Sequence, residues 1–283
     1  MEVVRWQERP KLRRPVLIVA FEGWNDAADA ASGAARFLSD GWNARPFADI
    51  DPEDFYDFTG TRPEVRLVDG MTRHIDWPAN ELSAASVPGA NHDAAFLHGM
   101  EPQLKWRTFC HGIVAAAQSL GVEMVISLGA LLADVAHTRP VRVTGTAGDQ
   151  ELIARLGLTR SHYEGPTGII AVLHDAFAQA GIPSASLWAA VPHYVGQTPS
   201  PKATLALVER TASLLGTSVN VVELEIASAA YERAVGELVS ADDDAQAYVR
   251  RLEQMGEEDD ETIPTGDDLA AEVENFLRDH PSH

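Results

Sequence analysis

Five side chains able to hold a ligand or move a proton fall within Phe21-Glu22-Gly23-Trp24-Asn25-Asp26-Ala27-Ala28-Asp29-Ala30: Glu22, Trp24, Asn25, Asp26 and Asp29. They follow the apolar run at residues 16–21, which reads as a strand buried on both faces. In a sheet covered by helices on both sides, ligands bind beyond the carboxyl ends of such strands. Two more segments deliver polar groups in the same way. Gly129 and Asp134 lie within residues 127–135, and His193 and Tyr194 follow Pro192. If the three ends meet, they line one cleft with carboxylates, an amide and an imidazole. His193 would then act as general base, with Glu22 and Asp26 as the acidic catalytic groups and Asn25 as a hydrogen-bond partner of the substrate. The ligand-binding set would be Trp24, Asn25, Asp26, Asp29, Gly129, Asp134, His193 and Tyr194. A phosphate clamp would need Arg62, Arg139 or Arg142 to be brought in by the fold.

Each of these residues also has a plainer role. Asn25 and Asp26 suit helix capping, Glu22 suits pairing with an arginine, and His193 suits packing. The sequence contains no G-x-S-x-G elbow, P-loop, H-E-x-x-H, or G-x-G-x-x-G after a strand. Cys110 and His111 are neighbours within one helical segment and point ~100° apart, so they do not form a nucleophile pair. Residues 145–149 and 164–168 read as turns, and none of the ten histidines has ligand spacing. The expectation is therefore a protein without metal or cofactor, and a binding role rather than an enzyme.

The elements that must position these groups alternate along the first 215 residues. Apolar strands are expected at 94–99, 122–132 and 185–191, and an edge strand at 141–144. Helices are expected at 25–38, 103–120 with Gly121 as its C-cap, 169–180, and from Ser200-Pro201 to about residue 215. Residues 45–77 read as short strands, with Asp69-Gly70 as a hairpin turn. The implied fold is a three-layer α/β/α sandwich with a largely parallel or mixed central sheet.

Beyond residue 220 the pattern changes. Leu224, Ala227, Tyr231, Ala234, Leu238, Ala241, Ala245, Tyr248, Leu252 and Met255 recur at helical spacing, as one long helix or as a pair broken near Ser240. Leu224, Tyr231, Leu238, Tyr248 and Leu252 are the candidate partner contacts. The organisation is thus an α/β core at 1–219, a helical extension at 220–256, an acidic linker at 257–264, and a short terminal helix and tail at 265–283.

The chain has 283 residues and a net charge of −20, which excludes a nucleic-acid partner needing a cationic surface. The excess is uneven: residues 231–283 hold 16 acidic and 4 basic side chains. One cysteine excludes an internal disulfide, no apolar stretch reaches ~20 residues, and the first residues lack the order of a signal peptide. A cytoplasmic, membrane-free protein is expected.

Several segments carry a resemblance. Residues 21–30, Ile50-Asp51-Pro52-Glu53-Asp54-Phe55-Tyr56-Asp57-Phe58 with Thr61-Arg62-Pro63, and Val191-Pro192-His193-Tyr194-Val195 with Pro199-Ser200-Pro201-Lys202-Ala203-Thr204 resemble the PAC2 family, named for proteasome assembly chaperones. The lysine-poor, arginine- and alanine-rich usage resembles the family's actinobacterial branch. The resemblance implies a fold similar to nucleoside phosphorylases, extended by C-terminal helices. It implies a non-enzymatic assembly or interaction protein whose partners include proteasome subunits, and a homo-oligomer, with a trimer as one form. Some relatives dock through a hydrophobic-Tyr-any residue tail, whereas residues 279–283 here lack a tyrosine. The competing expectations are a nucleoside or phosphometabolite binder or enzyme using the strand-end cleft, and a purely structural homo-oligomer.

Overall fold

Alternate residues of β2 (Val16–Glu22) face opposite sides of a sheet, and both sides are apolar because both are covered. Val16, Ile18 and Ala20 pack with Ala31, Ala34 and Leu38 of α1 (Ala30–Gly41) and with Leu207 of α5 (Pro201–Leu214). Leu17, Val19 and Phe21 pack with Phe109 and Ile113 of α2 (Trp106–Leu120) and with Leu173 and Phe177 of α4 (Ile169–Gln179). The result is the three-layer arrangement expected. The computed structural model describes residues 3–161 and 163–259.

The eight-stranded sheet runs in the order β1 (Val4–Trp6), β3 (Arg45–Ile50), β6 (Asn80–Ser86), β7 (Asp93–Met100), β2, β8 (Met124–Ala133), β10 (Ser184–Pro192), β9 (Val143–Ala147). The central strands β7, β2, β8 and β10 are parallel. The strands flanking them pair antiparallel, so the sheet is mixed. Helix α3 (Gln150–Leu156) follows β9, capped by the Asp149 carboxylate on Leu152 N at 2.7 Å. The strands β4 (Glu64–Val68) and β5 (Thr72–Asp76) form a separate hairpin, with Asp69 and Gly70 both at positive φ in its turn.

The C-terminal stripe resolves into two helices, α6 (Val222–Ser240) and α7 (Asp243–Asp259). Asp242 makes the break, its carboxylate accepting from Asp244 N at 2.9 Å and Ala245 N at 3.0 Å. The even 3-4 spacing does not hold as one face. Ser228, Tyr231 and Val235 are the buried residues of α6, while Ala234 is exposed and Leu238 is 71% exposed. Helix α7 continues to Asp259, so the acidic stretch expected as a linker from residue 257 begins as helix. The helix expected within 265–283 lies outside the described residues.

Candidate functional site

The chain leaves β2 toward β3 and leaves β8 toward β10, on opposite sides, so the strand order reverses between β2 and β8. That reversal is where open α/β sheets form a crevice for ligands. At the end of β2, Asn25 O accepts from Ala130 N at 2.8 Å, which ties the loop to β8. The Asp26 carboxylate accepts from Ala31 N at 2.7 Å and Ser32 N at 3.1 Å, satisfying free donors in the first turn of α1. Burial pushes the Asp26 pKa up, and these same hydrogen bonds oppose the shift. Ala28 and Asp29, both at φ 53°, form the tight turn between the loop and α1, and Asp29 is exposed. Glu22 pairs with Arg36 of α1 at 2.5 Å. Trp24 stays exposed at the rim, beside Gly168.

Asn25 does not cap the helix. Its buried amide donates to Glu101 Oε1 at 3.2 Å, and the same oxygen accepts from Ile169 N at 2.9 Å. Glu101 therefore occupies the N-terminus of α4, the position where a helix would otherwise attract a ligand anion. Space for this contact comes from Gly168, where a Cβ would lie 2.6 Å from the Asn25 amide nitrogen. Replacing Glu101 with Ala is expected to cost about 2 kcal/mol, by stripping the α4 cap and leaving the Asn25 amide unpaired. A thermal melt checks this: the expected drop is roughly 4–8 °C for a chain of this size. An unchanged Tm would remove the capping role.

The ends of β8 and β10 form a second group. Trp188 pairs with Gly129 across the two strands, and a Cβ on Gly129 would meet the indole at 2.6 Å. His193 Nδ1 lies 3.0 Å from Asp134 Oδ1, and the Tyr248 hydroxyl donates to that same oxygen at 2.6 Å. Tyr194 OH accepts from His137 N at 2.8 Å and lies 2.8 Å from His137 Nδ1. The rings of His193, Tyr194 and Tyr248 meet edge to face, with centroids 5.5 to 6.2 Å apart. Helix α7 lies across these strand ends. Val249 and Leu252 pack with Ala136, and Glu253 accepts from Thr138 Oγ1 at 2.6 Å. Burial raises the Tyr194 pKa to about 12 and raises that of Tyr248 as well, the latter further by its bond to Asp134. Both hydroxyls therefore stay protonated at neutral pH, the opposite of an activated nucleophile. Burial holds His137 below the usual histidine range, so it is neutral there.

The sequence candidates thus fall into two groups: Glu22, Trp24, Asn25, Asp26 and Asp29 around α1, and Asp134, His193 and Tyr194 beneath α7. Gly129 lies between strands rather than at a rim. Of the partner candidates, Tyr231 and Leu252 are buried in the chain, Leu224 and Tyr248 are half-buried, and Leu238 is exposed. Sequence reasoning missed Glu101 and His137. The one signal for Glu101 was an acid directly after an apolar strand and before Pro102. Among the described residues no group of three His, Cys, Asp or Glu side chains could hold a metal ion. The Cys110 thiol is buried and its pKa pushed up to about 12.

The profile of the PAC2 family matches residues 20–239. A PAC2 family protein from Streptomyces avermitilis is 46% identical over 83% of this chain and 99% of its own, with a TM-score of 0.78. A proteasome-assembly chaperone homologue from Mycobacterium tuberculosis is 45% identical over 83% of this chain and 99% of its own, with a TM-score of 0.76. An archaeal proteasome activator from Pyrococcus furiosus shares the fold, with a TM-score of 0.68 over 83% of this chain and 97% of its own, at 17% identity. No curated protein sequence matches the chain.

Proposed function

Since the chain belongs to the PAC2 family, we propose that it is a non-enzymatic, assembly-chaperone-like protein acting on protein partners, with proteasome subunits as the leading class. We further place it in the cytoplasm as a homo-oligomer, a trimer being one form. Among the described residues no helix is long and apolar enough to cross a membrane.

The observation that carries the reading is the position of Glu101. The α4 N-terminus at the crevice is filled by the chain's own carboxylate, which also holds Asn25. Asp26 is spent on α1 and Glu22 on Arg36, while α7 lies over His193 and Asp134. Polar groups committed in this way support a scaffold for protein contacts more than a pocket for a nucleoside or a phosphorylated metabolite.

Affinity purification of the full chain from native lysate tests the proposal. Recovery of proteasome subunits in stoichiometric amount is expected, and their absence would sink the proteasome assignment. In parallel, thermal-shift screening with nucleosides, phosphate and sugars is expected to leave Tm unmoved. A rise of several degrees with one compound would transfer support to the small-molecule reading.

A further inference from the structure

The β4–β5 hairpin is an arm with one apolar face. Side chains alternate along it, so Pro63, Val65 and Leu67 on one strand share a face with Arg73, Ile75 and Trp77 on the other. The opposite face carries Glu64, Arg66, His74 and Asp76, with Val68 and Thr72 beside the turn, and Arg66 and Asp76 are paired at 3.0 Å. A charged face with an internal ion pair is suited to water. An apolar face is not, yet every residue of both strands is exposed, Val65 at 65% and Leu67 at 60%. The arm belongs to a separate two-stranded sheet, and Trp77 stacks edge-on against Phe58 at its base, at 4.9 Å. An isolated two-stranded hairpin is marginal in water and needs a further surface to pack on. Val65, Leu67, Ile75 and Trp77 are exposed together on this face, with Met71 at the tip. They form a patch on the order of 500 Å², within the range of the largest apolar patch on a monomer, which is often functional.

We propose that this face docks onto the outer face of α6 in a second copy of the chain. Charge selects the acceptor. Arg73 is the one ionised side chain on the arm's apolar face, so the receiving surface should be apolar and acidic. The outer face of α6 has that character: Val222 and Ile226 are exposed one turn apart, flanked by exposed Glu223 and Glu225. The arm itself, residues 61–77, carries three arginines against three acidic residues, so it can reach a second chain of the same net charge of −20 without adding to the repulsion. Two different surfaces meeting head to tail make a heterologous contact, which closes into a ring when its rotation permits.

This inference rests on the homo-oligomer part of the proposed function. Size-exclusion chromatography with light scattering, and sedimentation equilibrium, of the full chain test it. The wild-type chain should exceed monomer mass. Arg73→Glu should weaken association by about tenfold or more, as should Glu223→Arg with Glu225→Arg, and joining all three should restore it to within about threefold. Leu67→Asp should dissociate the assembly while leaving the circular dichroism spectrum and the monomer Tm unmoved, since Leu67 is exposed; Leu67→Ser serves if the charged variant misfolds. A monomeric wild-type chain overturns both this contact and the homo-oligomer reading. An oligomer indifferent to Leu67→Asp and Arg73→Glu, or one that the charge swap does not rescue, overturns this contact alone. Either result leaves the proteasome assignment to the affinity purification.

Discussion

Lowering the pH from 6.5 to 4 should cost the fold on the order of 2 kcal/mol through His174 alone. His174 lies on α4, facing β8 and β10. Nε2 is 2.7 Å from Ser127 Oγ, Nδ1 is 2.7 Å from Ser184 Oγ, and Ser127 in turn donates to Ser186 at 2.9 Å. With the Ser127 proton committed to Ser186, Nε2–H donates to Ser127 and Nδ1 accepts from Ser184, so the neutral ring is fully satisfied. Burial lowers its pKa to about 4. The unfolded chain takes up a proton as the pH falls through about 6.5, whereas the folded chain waits until about 4. Stability is therefore whole above 6.5 and declines across that window. The full shift would carry ~3 kcal/mol; part of the residue is exposed, which trims the cost. Urea titrations at pH 7, 5.5 and 4 read the effect when wild type is compared with His174→Gln, which keeps hydrogen-bonding groups but does not titrate. The two stability–pH curves should diverge as acid is added. Curves that stay parallel would mean that His174 titrates normally. His98 and His137, also held low by burial, push the wild type in the same direction, and the comparison cancels them.

How far the sequence could be read follows from how each element is specified. Strand β2 was legible because burial on both faces leaves an uninterrupted apolar run. Helix α5 was legible because Ser200-Pro201 marks its start chemically, and the Ser200 hydroxyl does accept from Ala203 N. Strands β1 and β6 were not. The first has three residues, and the second, Asn-Glu-Leu-Ser-Ala-Ala-Ser, owes its conformation to pairing with β3 and β7 rather than to its own composition. The C-terminal stripe left one helix or a pair open, and the pair is found, broken at Asp242. Periodicity alone did not show that Ala234 and Leu238, both ahead of that break, face away from the core. The Asp69-Gly70 hairpin was visible, but its exposure was not, since an apolar face reads in sequence as a buried one.

The site divides along the same line. Asp26 caps a helix five residues away, a local arrangement its residue type announces. Glu101 caps a helix 68 residues away, and only the sheet order brings the two together. Residues whose partners are distant in sequence leave no local pattern, and those are the contacts that close the crevice.

Gly99→Ala should be the most damaging single-methyl change at this edge of the sheet, costing at least ~3 kcal/mol and lowering Tm by roughly 10 °C. Gly99 sits in β7 at φ 154°, where a Cβ would lie 2.0 Å from Ala79 O and 2.7 Å from Asn80 Oδ1. Neither neighbour can retreat easily. Asn80 is fully buried, its amide donates to Met100 O at 3.2 Å and to Tyr56, and the Tyr56 hydroxyl donates to Met100 O at 2.6 Å. Burial raises the Tyr56 pKa, so that hydroxyl stays protonated and remains a donor at neutral pH. This cluster fixes Met100, and Met100 leads directly into Glu101. A methyl group at 99 must therefore displace the carboxylate that caps α4, and the two positions should couple. In a double-mutant cycle, Glu101→Ala should cost less in the Gly99→Ala background than in wild type, because the cap is already weakened. Additive costs, agreeing within about 0.5 kcal/mol, would confine the role of Gly99 to its own strand. Coupled costs would tie the one backbone position in β7 that excludes a side chain to the contact that fills the crevice.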